Sequence, residues 1–220
     1  MPWVTIREEG FGRTEMYVRV QPRSFKAAHC AAPSVDDGPG SPCYGALNGI
    51  YSYAGARQFF DLGNASRQLW VGYQLGNTSP QPGNTGRQQF DRDQYQYGSW
   101  AVEVGIRLPL PFDVLGELAY RYENQTYGPA SGCFPDANGF VPPACENIDF
   151  ATYPQGFNPA GLTRRDDNDH RVIFSLERPL PEVWDHLSVV ASYFGTFNDS
   201  NKSIFTYDRN IGSLALQVRY

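Results

Sequence analysis

Acidic and amide side chains surround a histidine between residues 166 and 170. The segment reads Asp166-Asp167-Asn168-Asp169-His170. Carboxylates beside a histidine can activate water for hydrolysis, and an oxygen-rich cluster can also contact a divalent cation or a lipopolysaccharide headgroup. Catalysis, however, needs a base, a nucleophile and an orienting group within hydrogen-bond reach of one another. A run of Asp and Asn is typical of a solvated loop, so we predict neither enzymatic activity nor a cofactor or metal site.

Charged residues of both signs occupy alternate positions in several other segments. Because alternate residues of a strand point to the same face, these side chains should share one face and pair across neighbouring strands. In a narrow barrel the pairs would fill the interior, whereas in a wider barrel they would line a channel. The predicted interior network consists of Glu103, Arg107, Glu117, Arg121, Glu123, Arg171, Glu177 and Arg219.

The four cysteines form two local pairs, each bracketing a segment rich in Gly, Pro, Asp or Asn. Cys30 is followed by Cys43, and Cys133 by Cys145. Neither pair has the spacing of a zinc site, and His29 is the nearest histidine. We predict two disulfides, Cys30–Cys43 and Cys133–Cys145, formed in an oxidising compartment.

The elements that must position these residues are strands. Eight segments alternate apolar and polar residues over roughly the 9–11 residues that a membrane-spanning strand needs. In the clearest of them, Trp100, Val102 and Val104 alternate with Ala101 and Glu103, and we expect the apolar set to face lipid. The predicted strands are residues 14–25, 50–60, 67–76, 97–108, 114–123, 170–178, 186–196 and 205–220.

The last predicted strand ends on an aromatic residue. Leu214, Leu216, Val218 and Tyr220 fall on one face, which is typical of the closing strand of an outer-membrane β-barrel. We predict that Tyr220 is a terminal insertion signal and that the barrel-assembly machinery is a partner during insertion.

The predicted connections alternate in length. Residues 61–66, 109–113 and 179–185 form short turns, whereas 26–49, 77–96, 124–169 and 197–204 form longer loops. Short periplasmic turns and longer extracellular loops are typical of outer-membrane barrels. Both cysteine pairs then lie in extracellular loops, outside the reducing cytoplasm.

The histidines are scattered in this arrangement. His29 lies in the first long loop, His170 at the outer end of a strand and His186 near a periplasmic turn. His186 shares a strand face with Ser188, but at the end away from the outer leaflet, where a Ser–His hydrolase acting on lipopolysaccharide would not be placed. A membrane-embedded hydrolase is therefore the least favoured function.

Composition narrows the alternatives. The chain has 220 residues, a net charge of −5, and 14 Tyr, 14 Phe and 4 Trp. The negative charge gives no support to a nucleic-acid partner, and no apolar run is long enough for a membrane-spanning helix. Aromatic belts at both membrane interfaces would explain the aromatic content. A soluble β-sandwich or lipocalin-like barrel would turn the apolar face inward, and the charged second face favours the membrane form.

We therefore predict an all-β fold: an antiparallel up-and-down transmembrane β-barrel with eight visible strands, which is either complete or part of a larger barrel. The barrel domain covers residues 1–220, with 1–13 as an N-terminal extension or the remnant of a preceding segment. The first residues lack the charged start and apolar core of a signal peptide. The chain is thus expected either to have lost its signal or to be the C-terminal part of a longer protein.

The final hairpin resembles one group of bacterial barrels. Its residues are Tyr193-Phe194-Gly195-Thr196-Phe197-Asn198-Asp199-Ser200-Asn201, followed by Tyr207-Asp208-Arg209-Asn210 and an alternating strand. This pattern is similar to the end of barrels that follow tetratricopeptide repeats, such as the surface lipoprotein assembly modifiers, and of porins associated with polysaccharide export. The resemblance covers about the last fifty of the 220 residues. It implies a barrel for export or surface assembly, often with more than eight strands, although no helical repeats precede the strands here.

The expected function is transport, export or surface assembly in the bacterial outer membrane, in contact with membrane lipid and lipopolysaccharide. The alternative is a small closed structural or adhesive barrel whose disulfide-tied loops bind a protein partner. The strand count separates the two, because a closed ring of eight strands has a filled interior.

Overall fold

One antiparallel sheet accounts for nearly all regular structure in this protein. The computed structural model describes residues 3–9, 11–23, 49–63, 66–80, 95–133, 163–184, 186–202 and 205–218. Within them, nine strands are hydrogen-bonded in chain order, each antiparallel to the next. They are β1 (Trp3–Glu8), β2 (Gly12–Arg23), β3 (Gly49–Asp61), β4 (Gln68–Pro80), β5 (Tyr97–Leu110), β6 (Val114–Tyr127), β7 (Asp166–Pro179), β8 (Leu187–Ser200) and β9 (Tyr207–Val218). The predicted all-β class is confirmed.

The predicted number of eight strands is wrong by one. Residues assigned to an N-terminal extension form β1, in which Trp3 lies opposite Tyr17 and Glu8 opposite Gly12. The strand has 6 residues, so its alternation is too short to be recognised by a search for membrane-spanning length. The other eight strands coincide with the predicted segments, although most extend beyond the predicted ends.

The sheet is open in the described part of the chain, so the predicted closed ring is not observed. β1 and β9 form its two edges, and each pairs with one neighbour. With nine antiparallel strands in order, β1 and β9 run in the same direction, so pairing them would require a parallel seam. Among the described strands, no pairing joins these two edges.

The connections at one end of the sheet are uniformly short. They are residues 9–11, 62–67, 111–113 and 180–186, and we call this the short-turn end. At the other end, the long-loop end, the connections are 24–48, 81–96, 128–165 and 201–206. The last of these is as short as the turns, because β8 continues to Ser200 and β9 starts at Tyr207. The predicted long loop at 197–204 is therefore wrong.

The two faces of the sheet differ in polarity as the alternation predicts. One face, the outer face, carries apolar side chains that are between 40% and 76% exposed: Val71, Tyr73, Leu75, Trp100, Val102, Val104, Leu118, Tyr120, Phe174, Leu214 and Leu216. The opposite, inner face carries charged and amide side chains, many of them buried.

A small aromatic cluster lies on the inner face. Phe59, Trp70 and Ala119 are buried together, and the Phe59 and Trp70 ring centroids are 6.1 Å apart. The Trp70 ring lies directly over Gly105, so that a Cβ at Gly105 would overlap the indole. A glycine at this position is what allows the tryptophan to lie flat on the sheet.

Helical structure is sparse in the described residues. A 3-10 helix, Pro129–Cys133, follows β6. No helix in these residues is both long and apolar enough to cross a membrane.

Candidate functional site

A single row of side chains crosses the inner face of all nine strands. Residues directly opposite one another in neighbouring strands point to the same side of a sheet, and the strand registers link one such position on each strand. The row consists of Thr5, Glu15, Arg57, Gly72, Glu103, Arg121, Arg171, Thr196 and Arg209. We call it the arginine row. Four arginines and two glutamates give it a formal charge of +2.

Glu103 accepts hydrogen bonds from side chains of β3 and β4, which both lie on the same side of β5. Arg57 donates from Nη2 to Glu103 Oε2 at 2.9 Å, and Trp70 donates from Nε1 to Glu103 Oε1 at 2.9 Å. Both carboxylate oxygens therefore have a donor, although Arg121 stands directly opposite Glu103 on β6. The prediction missed Arg57 because β3 alternates weakly, and missed Trp70 because an apolar residue at an inward position carries no polar signal.

A second cluster, of two carboxylates, balances the positive charge of two arginines that face each other. Arg121 and Arg171 are opposite one another on β6 and β7, where like charges alone would repel. Glu123 Oε2 accepts from Arg121 at 2.9 Å and lies 3.6 Å from Arg171 Nη2. Asp169 accepts from Arg171 Nε at 2.8 Å and from Nη2 at 3.0 Å. The two buried carboxylates thus compensate the charges of both guanidinium groups, and the Asp169–Arg171 pair is bidentate.

The network continues across the middle of the sheet. Tyr17 donates to Gln74 Oε1 at 2.9 Å, and Arg121 donates to the same oxygen at 3.3 Å. These contacts join β2, β4 and β6, which are not neighbouring strands. Towards the short-turn end, Arg107 Nε lies 3.3 Å from Glu117 Oε2.

The predicted interior network is therefore largely assembled. Glu103, Arg107, Glu117, Arg121, Glu123 and Arg171 form ion pairs on the inner face, and Glu177 shares that face by register. Arg219 and the predicted insertion signal Tyr220 lie outside the described residues. The partners that sequence reasoning missed are Arg57, Trp70, Gln74, Tyr17 and Asp169.

The inner face borders a cavity of about 590 Å³. Side chains from β1 to β7 contribute to its wall, so the inner faces of these strands converge on one space. Its polar lining includes Arg19, Arg57, Arg121, Arg171, Tyr53 and Tyr97. Its volume falls within the range of about 300–1,000 Å³ that is common for sites of small molecules.

A buried cluster around Arg165 lies at the long-loop end of the sheet, and we call it the loop clasp. The Arg165 guanidinium carbon lies 4.0 Å from the Tyr127 ring centroid and 3.3 Å from that of Phe205. Arg165 also pairs with Asp167, and its backbone N–H donates to Ser131 Oγ at 2.9 Å. Cation–π contacts and a buried ion pair thus fix the 3-10 helix against the start of β7.

The acidic cluster at residues 166–170 forms the start of β7, and the strand directs its side chains alternately to the two faces of the sheet. Asp167 and Asp169 point to the inner side and enter the loop clasp and the arginine network. His170 points to the outer face, where its Nδ1 lies 2.7 Å from the Tyr120 hydroxyl. Because the residues belong to two faces, the structure does not bring them together as one hydrolytic site.

The remaining predicted site residues are separated or undescribed. His186 lies in the connection after β7, at the opposite end of that strand from His170. Cys133 is buried in the 3-10 helix, whereas Cys30, Cys43 and Cys145 lie outside the described residues, so both disulfides stay predictions. Among the residues that the structure describes, no three His, Cys, Asp or Glu side chains are grouped to hold a metal ion.

Comparisons with known proteins give no relative. No family model matches the chain, and neither a curated protein nor a solved structure matches it. The expected resemblance of the final hairpin to export and surface-assembly barrels is therefore not tested by these comparisons and stays a prediction.

Proposed function

We propose that this chain is a membrane-spanning β-barrel unit of the bacterial outer membrane that carries material across it. The observation that supports this most strongly is the polarity of the sheet. Apolar side chains are exposed on the outer face, while ion pairs surround a cavity on the inner face. In water so large an exposed apolar surface is unfavourable, whereas in a bilayer lipid covers it and the backbone is satisfied by strand pairing.

The strand dimensions fit this proposal. β5, β6, β7 and β8 contain 14 residues each. At about 3.3 Å per residue and a tilt of roughly 40°, such a strand spans about 35 Å. A bilayer core of about 30 Å would therefore be crossed with polar residues left at the ends.

The outer face is also layered near the long-loop end. Trp100 packs against Tyr122 with ring centroids 5.3 Å apart, and Tyr122 against His170 at 5.1 Å. One step further along the strands, Asn124 Nδ2 donates to Asp166 Oδ1 at 2.8 Å. An aromatic layer followed by a polar layer matches the interface of an outer-membrane barrel, and lipopolysaccharide is the partner that this polar layer would meet.

Transport is favoured over the small structural or adhesive barrel for a topological reason. The structural alternative needs a closed and filled ring, whereas the nine described strands form an open sheet with a cavity on its inner face. The resemblance of the final hairpin to export and surface-assembly barrels supports the same choice. In this proposal the two free edges are completed by further strands, and the barrel-assembly machinery inserts the finished ring.

Conductance tests the proposal. The protein is expressed together with the strands that complete the ring, exported with a cleavable signal sequence in a Gram-negative host, purified from the outer membrane and reconstituted in a planar bilayer. We expect discrete ion-conducting steps, with mock-purified membranes of the same host as the control. Folded, inserted protein that conducts no ions would contradict a transport function.

A further inference from the structure

The ion pairs of the inner face are unequally exposed. In each of the three pairs around the arginine row, the carboxylate is the more deeply buried partner and the guanidinium stands above it. The exposed side-chain fractions are 37% and 13% for Arg57 and Glu103, 15% and 4% for Arg121 and Glu123, and 31% and 4% for Arg171 and Asp169.

This difference in exposure determines which groups a solute in the cavity contacts. The oxygens of Glu103 and Asp169 already accept hydrogen bonds from the protein. A guanidinium has five N–H donors, more than one carboxylate can accept. The formal charges within each pair cancel. The groups that the pairs expose to the cavity are nevertheless mainly cationic guanidinium donors.

The rest of the lining strengthens this character. Tyr17, Tyr53 and Tyr97 place phenol groups around the cavity, and Gln125 contributes an amide. Glu15 and Glu123 also border the cavity, where they are paired with Arg13 and Arg121 respectively. Arg19 adds a further guanidinium on β2, and it is exposed. Hydroxyl and amide groups next to guanidinium groups bind carboxylates and phosphates that also carry hydroxyls, because each oxygen finds a donor.

We propose that the inner face binds anionic solutes, carboxylates or phosphates, along the arginine row. This deepens the proposed transport function, on which it rests for its biological use. The attraction itself belongs to the folded inner face and can be measured without any conductance.

Charged quenchers of tryptophan fluorescence provide the test in detergent-folded protein. The double variant W100F/W184F removes the outer-face and turn indoles and leaves Trp3, which borders the cavity, and Trp70, which contacts Glu103. Because iodide quenches free indole more efficiently than caesium does, each quenching constant is divided by that of free N-acetyltryptophanamide. We expect the normalised iodide-to-caesium ratio to be about two or more at equal ionic strength, because the cationic donors concentrate anions. Acrylamide is an uncharged quencher, so it measures only how accessible the two tryptophans are.

Substitutions at exposed arginines locate the effect. R19Q and R209Q, each introduced singly, should reduce the normalised iodide-to-caesium ratio towards one, because both side chains are exposed on the inner face. The control R178Q changes charge equally at the short-turn end, where Arg178 is paired with Glu182, and should leave the ratio unchanged. Circular dichroism checks that each variant is folded.

Competition identifies the class of anion. Glucuronate and inorganic phosphate are compared with chloride at equal ionic strength, and the one that protects the tryptophans from iodide better than chloride names the favoured oxyanion. A normalised iodide-to-caesium ratio of one, or no protection beyond chloride, would overturn the inference. Iodide preference without conductance would instead refute transport and leave the anion-binding face intact.

Discussion

At the scale of single residues, close packing on the inner face sets the tightest constraints. Trp70 can donate to Glu103 only because its ring lies flat across Gly105, where no side chain intervenes. The carboxylates of Glu123 and Asp169 in turn keep two opposed arginines together. Such buried charges are costly when one partner is removed, since the other loses its compensation.

Substitution of Gly105 tests the packing beneath Trp70. G105A places a Cβ in the space of the indole, so the ring must move and its hydrogen bond to Glu103 weakens. We expect a loss of about 1–3 kcal/mol in the free energy of unfolding, measured by denaturant titration in detergent. The control is G98A on the same strand, where an added Cβ meets no atom within 4 Å. Equal stability of the two variants would show that Trp70 does not lie over Gly105.

Substitution of Glu123 tests the charge compensation. E123Q leaves Arg121 and Arg171 facing each other with one carboxylate fewer, and we expect destabilisation of roughly 2–4 kcal/mol. The control E182Q removes a carboxylate from an exposed pair with Arg178, which should change stability by less than about 1 kcal/mol. Denaturant midpoints of the two variants are compared in the same detergent. A larger effect at the exposed site would contradict the buried network.

At the scale of elements, alternation along a strand was sufficient to predict eight of the nine strands and their faces. β5 illustrates why: Val102 and Val104 differ from Glu103 in polarity at every step, and each polar residue lies on the face that the period of two requires. β1 has too few residues for the same pattern to stand out. The partners of Glu103 could not be predicted, because alternation gives the face of each residue but not the register between neighbouring strands.

Substituting a charged residue for a valine on the outer face tests whether β5 faces lipid. V104R places a charge on the apolar outer face of β5, and near a bilayer midplane it should destabilise the folded barrel by about 2–4 kcal/mol. The matched control is V183R in the connection 180–186, where Val183 is 71% exposed. The assembled fraction in vesicles, read from heat-modifiable electrophoretic mobility, is the measurement. Similar assembly of both variants would argue against a lipid-facing β5.

The cysteine pairs belong to the loops that connect the strands. Cys30–Cys43 and Cys133–Cys145 should each be oxidised within one loop, because both close short segments in an oxidising compartment. Peptide mapping of the exported protein without reduction should recover these two cross-linked pairs. A bond between the two loops, or four free thiols, would show the prediction to be wrong.

At the scale of the whole molecule, the sheet brings together positions that are distant in the chain. The arginine row joins Thr5 to Arg209 through nine strands, and no short sequence motif encodes it. The acidic segment at 166–170 shows the converse, because neighbouring residues are sent to opposite faces once β7 forms. The alternation thus predicted the faces, whereas the cavity and the loop clasp depend on long-range pairing that only the folded sheet provides.

The central claim is that the outer face meets lipid and the inner face meets water. Nitroxide labels at V102C, V104C and E103C in vesicle-reconstituted protein measure this directly, with the unsubstituted protein as the control for labelling of native cysteines. We predict preferential collision with oxygen at 102 and 104 and with a water-soluble nickel complex at 103, because oxygen concentrates in the bilayer core. Nickel access at 102 and 104 together with oxygen access at 103 would contradict the account.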